Sequence, residues 1–304
     1  MFPLHFFKVH PISLLPMLVC WSGYAAIILY ASYGYDWNGY SNSTNLLFSL
    51  CIYLAFSLLF GLASLILLEM VQQTESGKPI SLIKSIADAI FRDLWKALPL
   101  LLIWGLIWFC LAVLSVLFSK KNNKSSGNKE SFSAHNAVGT LLGDEKEFSS
   151  LSAFLDAVSK GVRMAAFLML PAIAWEELSP LKAFRKGSEI LKVAKWNFAE
   201  AYGKSGIFAF LVLLIPALIY KMDAELNLQL PETFWIFTLI YIAIASSLIL
   251  IVEQIYMAEL YLWYFNWQKE NEKNKALGKP YIPFNKSRRP DFFDTTYIFS
   301  EHEI

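Results

Sequence analysis

The chain has 304 residues, 56% hydrophobic and 16% aromatic, with a mean hydropathy of +0.44 and a net charge of +1. Charged residues make up 17%, below the roughly 25% usual in soluble domains. The apolar residues come in long blocks, which excludes an ordinary water-soluble globule and points to a multi-pass membrane protein. The small net charge offers no field for a nucleic acid.

A helix needs about 20 apolar residues to cross about 30 Å of hydrocarbon. The first candidate span is 11–35, which carries no Asp, Glu, Lys or Arg. Its core is long and no small-x-small cleavage site follows, so an uncleaved span is expected there. The second span, 46–71, is closed by Glu69.

The stretch 79–95, PISLIKSIADAIFRDLW, follows. Leu82, Ile86, Ile90 and Leu94 recur every four residues, and Lys84, Asp88 and Arg92 share the other face. That pattern predicts an amphipathic helix in the cytoplasmic interface, apolar face down among anionic head groups. The alternative is a packed connector that never touches lipid. The third span is 97–118.

The polar segment 120–150 reads as a disordered loop. Asn42-Ser43-Thr44 and Asn123-Lys124-Ser125 match glycan acceptor triplets, but such triplets arise often by chance.

The fourth span, 154–177, is the most polar. Asp156, Lys160 and Arg163 lie four and three residues apart on one helical face. Such a stripe must look into the bundle or into a wet cavity. Arg163 is the deepest cation; it is expected to snorkel or to form an ion pair, for which Asp156 is a candidate partner, with binding of an anionic substrate or lipid phosphate as the alternative. Pro171 is expected to kink the span. Glu176 and Glu177 close it.

The stretch 180–196, PLKAFRKGSEILKVAKW, repeats the earlier design. One constant offset pairs Pro79 with Pro180, Ile83 with Phe184, Lys84 with Arg185, Asp88 with Glu189 and Trp95 with Trp196. The indole rings suit a membrane interface. The fifth span, 203–221, is short and is extended by snorkelling Lys204 and Lys221. The sixth, 234–256, carries Glu253 near its end, and Glu259 follows.

Tyr256, Tyr261, Trp263, Tyr264 and Trp267 read as an interfacial aromatic belt. The tail, 268–304, is polar, and its Phe292, Phe293, Tyr297 and Phe299 are either a docking motif or chance aromatics. Four spans with a re-entrant hairpin remain the alternative to six.

Lys and Arg concentrate in 79–95, in 180–196 and in the tail. By the positive-inside rule both termini are cytoplasmic. Lys120, Lys121 and Lys124 in the middle loop run against this assignment.

The fold class is therefore an all-α polytopic bundle over 1–267, with six transmembrane helices and two cytoplasmic amphipathic interfacial helices. Glu69, Glu176, Glu253 and Glu259 would face the basic stretches carrying Lys84, Arg92, Lys182 and Arg185. The expected role is ion pairing that docks the stretches onto the bundle, and a proton or cation relay is the alternative. Cys20, Cys51 and Cys110 sit singly in apolar runs, and the histidines are scattered, so no metal site or cofactor is expected. No nucleophile, phosphate-loop or zinc motif occurs. The expected role is non-catalytic: a scaffold, accessory subunit or lipid-interacting protein. Its partners would be membrane lipids or another membrane protein. A transporter using Arg163 is the second reading and a lipid-modifying enzyme the third.

The segment 169–203, MLPAIAWEELSPLKAFRKGSEILKVAKWNFAEAYG, resembles uncharacterised six-helix bacterial membrane proteins. Those are similar to the membrane domain that precedes some glycerophosphodiester phosphodiesterases. The resemblance covers about 60 residues. It implies a membrane domain in a bacterial inner membrane, and it transfers no active-site residue.

Overall fold

The computed structural model describes residues 11–31, 35–36, 39–119, 138 and 150–289, and every regular element among them is helical. A 3-10 turn, Pro11–Leu14, leads into α1, Leu15–Leu29. Then come α2, Asn42–Glu75, and α3, Leu82–Asp88. A π turn over Ala89–Asp93 joins α3 to α4, Leu94–Ser119. After them come α5, Ser150–Ala174, α6, Pro180–Val193, α7, Lys195–Leu226, and α8, Glu232–Ala276. Among the described residues five helices are long and apolar enough to cross a membrane, and the first apolar helix is shorter. The loop 120–137, the triplet at Asn123 and the tail beyond 289 lie outside the described residues.

Several helices outrun the apolar runs that announce them. A helix is held by i→i−4 backbone bonds and continues through polar residues until a breaker intervenes. α8 has 45 residues, about 68 Å at ~1.5 Å per residue, more than twice the ~30 Å of a hydrocarbon core. It ends at Gly278, whose φ of +66° lets Lys279 N–H return to the Asn274 carbonyl at 2.8 Å. α2 ends in the same way at Gly77, with φ +69° and a bond from Lys78 N–H to the Gln73 carbonyl at 2.9 Å.

The core is uneven along the bundle. Leu65, Leu67 and Leu68 of α2, Phe167, Leu168 and Leu170 of α5, and Met257, Ala258 and Leu262 of α8 are almost fully buried. They form the main core at the end of the bundle where α2 and α5 finish. A second, smaller cluster joins Val138, Trp235 and Ile242 near the start of α8. Between and around them, Ile103 and Leu106 of α4, Ile207, Phe210 and Leu211 of α7 and Phe237 and Ile240 of α8 are exposed. Exposed apolar side chains on this scale mark a surface that water does not cover.

Prolines inside α5 and α7 determine two of the cross-links. Proline lacks an N–H, so it leaves the carbonyl four residues earlier without its helical partner. Pro171 frees the Phe167 carbonyl, which accepts Gln254 Nε2 from α8 at 3.3 Å. Pro216 frees the Val212 carbonyl, which accepts the Tyr241 hydroxyl from α8 at 2.8 Å. Gln254→Met should therefore cost about 1–3 kcal/mol by orphaning a buried carbonyl. In a Pro171→Ala background, where the helical N–H returns, the same change should cost much less. Thermal melts of the four proteins in detergent measure that coupling, and additive effects would sink the explanation.

The first basic stretch is not a separate helix, since α3 runs through the π turn straight into α4. Its predicted apolar stripe is not wholly on the outer face, although Ile86 stays exposed. Leu82 and Leu94 pack on the main core, whereas Ile83, Phe91 and Trp95 are 83%, 80% and 69% exposed. The reason is the N-terminal anchor: Gln73 accepts Ser81 N–H at 2.7 Å and donates to Ser85 Oγ at 3.1 Å, which turns the Ser81–Ser85 face inward. α6 repeats the arrangement. Ala89 and Ile190 are both buried, Ile83 and Phe184 are both exposed, and so are Trp95 and Trp196.

Candidate functional site

The acidic side chains near the span ends are gathered into a ladder of ion pairs down one end of the bundle. α5 and α8 meet at its deepest rung. Arg163 grips Glu253 with both forks: Nε donates to Oε2 at 2.7 Å and Nη2 to Oε1 at 3.0 Å. Glu253 is fully buried and Arg163 half-buried. Bidentate, charge-assisted geometry is the strong form of this pair. Lys160 stands 3.9 Å from Glu253 Oε1 and donates to the Tyr202 carbonyl of α7 at 2.9 Å. Its ammonium also lies 4.4 Å from the Tyr202 ring centre. Tyr202 returns the tie by donating its hydroxyl to the Ala157 carbonyl at 3.2 Å.

The next rung joins α2 to the π turn. Arg92 Nη2 donates to Glu69 Oε1 at 2.8 Å and Nε to Asp93 Oδ1 at 3.0 Å. The same guanidinium reaches the Ala174 carbonyl at 3.4 Å, one of the carbonyls that the end of α5 leaves without a helical donor. Trp175 Nε1 donates to the Leu68 carbonyl at 3.1 Å and fastens the same corner.

Beyond it, Lys186 of α6 clamps both oxygens of Glu176, and the Tyr261 hydroxyl of α8 donates to Oε1 of the same carboxylate. Lys96 of α4 donates to Glu177 at 2.9 Å. Glu177 holds a left-handed φ of +51°, which lets the chain reverse between α5 and α6. Non-glycine residues rarely adopt that conformation.

The last rung is made by the segment after α8. Arg289 Nε donates to Glu259, and that hydrogen bond raises the guanidinium above its ordinary value. Arg289 also lies over Trp263, 6.0 Å from its ring centre. Phe284 is buried against Trp263, Tyr264 and Trp267, at ring-centre distances of 4.6, 6.4 and 5.6 Å. Trp267 Nε1 donates to the Ile282 carbonyl at 2.7 Å, and Asn271 accepts Ile282 N–H at 2.8 Å. The aromatics expected to form a lipid-facing belt therefore include Tyr261, Tyr264 and Trp267 turned inward. Residues 277–289, part of the expected polar tail, fold back along α8. A shallow cleft remains beside them, walled by Asn197, Glu200, Tyr256, Glu259 and Arg289.

The sequence-predicted residues thus fall into separate groups. Lys160, Arg163 and Glu253 meet. Glu69, Glu176 and Glu259 each take a different partner, and Asp156 stays exposed. Arg163 turns to Glu253 rather than to Asp156. Among the described residues no ion pair joins Asp156 to the cluster, because a residue one helical turn from Lys160 on the exposed side points away from α8. Lys96, Lys186, Tyr261, Gln254 and Arg289 escape sequence reasoning. Their partners lie far away in the chain, and the usable signal was the run of carboxylates that needed cations. Among the described residues no cluster of three metal-ligating side chains occurs, and the cysteines are unpaired. No family model, no curated protein and no solved structure matches this chain.

Proposed function

We propose that this chain is a multi-pass integral membrane protein that acts as a non-catalytic scaffold or accessory subunit, presenting a rigid inner end and an apolar flank to lipid or to a second membrane protein. Six crossings, cytoplasmic termini and a bacterial inner-membrane setting complete the reading. The two basic stretches lie at the cytoplasmic interface, and the resemblance of 169–203 to six-helix membrane domains agrees with this. The observation that carries the proposal is the internal pairing of three of the candidate carboxylates. Glu253, Glu176 and Glu259 are each bonded to a cation of the same chain from another helix or segment. Side chains committed in this way fix helix positions, which is what a scaffold needs.

Exposed Ile83, Phe91, Trp95, Leu181, Phe184 and Trp196 supply the flank. They sit beside exposed Lys84, Lys182 and Arg185, a pairing suited to anionic head groups. Extraction into native nanodiscs, followed by mass spectrometry, tests the proposal. A co-purifying membrane protein or a retained anionic lipid is expected. A bare chain with nothing bound would count against it. Lys160, the extra cation beside the Arg163–Glu253 pair, favours a transporter as the second reading. That reading requires anion flux in proteoliposomes that Lys160→Met abolishes.

A further inference from the structure

At one rung the charges do not balance. Glu69 and Asp93 both turn to Arg92, so two carboxylates share one guanidinium. Asp93 is fully buried and Glu69 nearly so. Asp93 Oδ2 has no hydrogen-bond partner and no contact with solvent, and Nε and Nη2, neighbouring donors on one edge of the Arg92 guanidinium, set the two carboxylates side by side. The other charged groups around the pair do not correct the excess. Lys96, from the start of α4, lies near enough to Asp93 to favour its charge but bonds to Glu177 at 2.9 Å, and Asp88, one turn earlier, adds a further negative charge. From α5 the corner receives the Ala174 carbonyl and the Trp175 indole, neither of which carries charge.

A buried carboxylate oxygen facing a second carboxylate, with no donor, is a costly arrangement. Two carboxyl groups that share a site cannot both ionise readily. The π turn is what creates the arrangement. Adjacent residues on a regular helix point about 100° apart, but within the π turn over Ala89–Asp93 the neighbours Arg92 and Asp93 bond to each other while Arg92 also holds Glu69. Such turns are rare and gather at functional sites.

We propose that Glu69 and Asp93 form a carboxyl–carboxylate pair that binds one proton, shared between their facing oxygens and held in place by Arg92. With the proton bound, the pair and Arg92 are neutral together. Arg92 is about one-third exposed, with a side-chain accessibility of 31%, so the site borders an accessible surface through which the proton exchanges. Loss of the proton places two like charges in contact and loosens the π turn from α2. The π turn carries Phe91 and leads to Trp95, so the proton governs how the outward apolar stripe is seated. This site goes beyond the scaffold reading and does not depend on it.

Infrared spectroscopy of the protein in lipid nanodiscs, with carboxyl-labelled glutamate or aspartate, tests the proposal. At neutral pH a protonated carboxyl band is expected, lost in Glu69→Gln and in Asp93→Asn and disappearing at alkaline pH in the unmodified protein. The emission of Trp95, isolated by comparison with Trp95→Phe, should shift over the same pH range. In Glu69→Gln, which mimics the protonated pair and is expected to fold, that emission should become independent of pH. Absence of the band at neutral pH, or a band unchanged in both variants, would overturn the proposal. So would a band that sodium or potassium removes at fixed pH, which would make a metal cation the occupant.

Discussion

Arg163→Ala should destabilise the protein by about 3–5 kcal/mol, because it strands the fully buried Glu253 carboxylate. Removing one partner of a buried pair costs far more than the pair itself contributes. Lys160 compensates only in part: its ammonium pairs with Glu253 at 3.9 Å, beyond hydrogen-bond length, and is bonded to the Tyr202 carbonyl. Arg163→Lys should recover only part of the loss, since a single ammonium cannot reproduce the two-pronged contact. Denaturation in mild detergent, followed by tryptophan emission, measures the effect. An Arg163→Ala protein as stable as the parent would show that Glu253 is reached by water or carries its own proton.

Phe284→Ala should release the segment after α8. Truncating a buried phenylalanine typically costs about 3–5 kcal/mol, and here the whole docked segment is short. Its other ties are the Trp267 and Asn271 bonds to Ile282, the Trp263 bond to Ser287 at 2.8 Å, and the exposed half of the Arg289–Glu259 pair. A segment held by so few contacts opens locally once its anchor is gone, and the bundle stays folded. Limited proteolysis should then cut between Leu277 and Arg289 in the variant and leave the parent intact. Hydrogen exchange at Ile282 should rise in parallel. Equal protection in both proteins would mean that Phe284 is not the anchor.

The sequence reveals those parts of this structure whose physics is local. Continuous apolar runs announce α2 and α4 because hydrocarbon demands length and uninterrupted hydrophobicity. The offset that pairs Pro79 with Pro180 also pairs buried Ala89 with Ile190 and exposed Trp95 with Trp196. Repeated spacing imposes repeated faces. The carboxylates at 69, 176, 253 and 259 stand out because isolated charges in apolar surroundings need partners.

What could not be read is what depends on distant contacts. Periodicity marks Leu82, Ile86, Ile90 and Leu94 as one apolar stripe, but not which of two apolar stripes packs inward. Gln73 decides that from another helix. Gln254 and Tyr241 look like ordinary polar residues until Pro171 and Pro216 are seen opposite them. The segment around Phe284 is too polar and too short for any pattern, and only the tryptophans of α8 give it a place to bind. A stripe of Asp156, Lys160 and Arg163 suggested a partner on the same helix, whereas the bundle supplies Glu253 from a different one.

On the proposed scaffold reading, the Arg163–Glu253 pair holds helices in place and performs no further task. Stability and ligand capture of the double variant Arg163→Met, Glu253→Gln test it most directly. With both charges removed no carboxylate is stranded, so the double variant should be nearly as stable as the parent and far more stable than Arg163→Ala. It should also retain the same co-purifying lipid or protein partner. A double variant that folds as well as the parent yet loses that partner, or loses flux in proteoliposomes, would contradict the claim and make the pair functional.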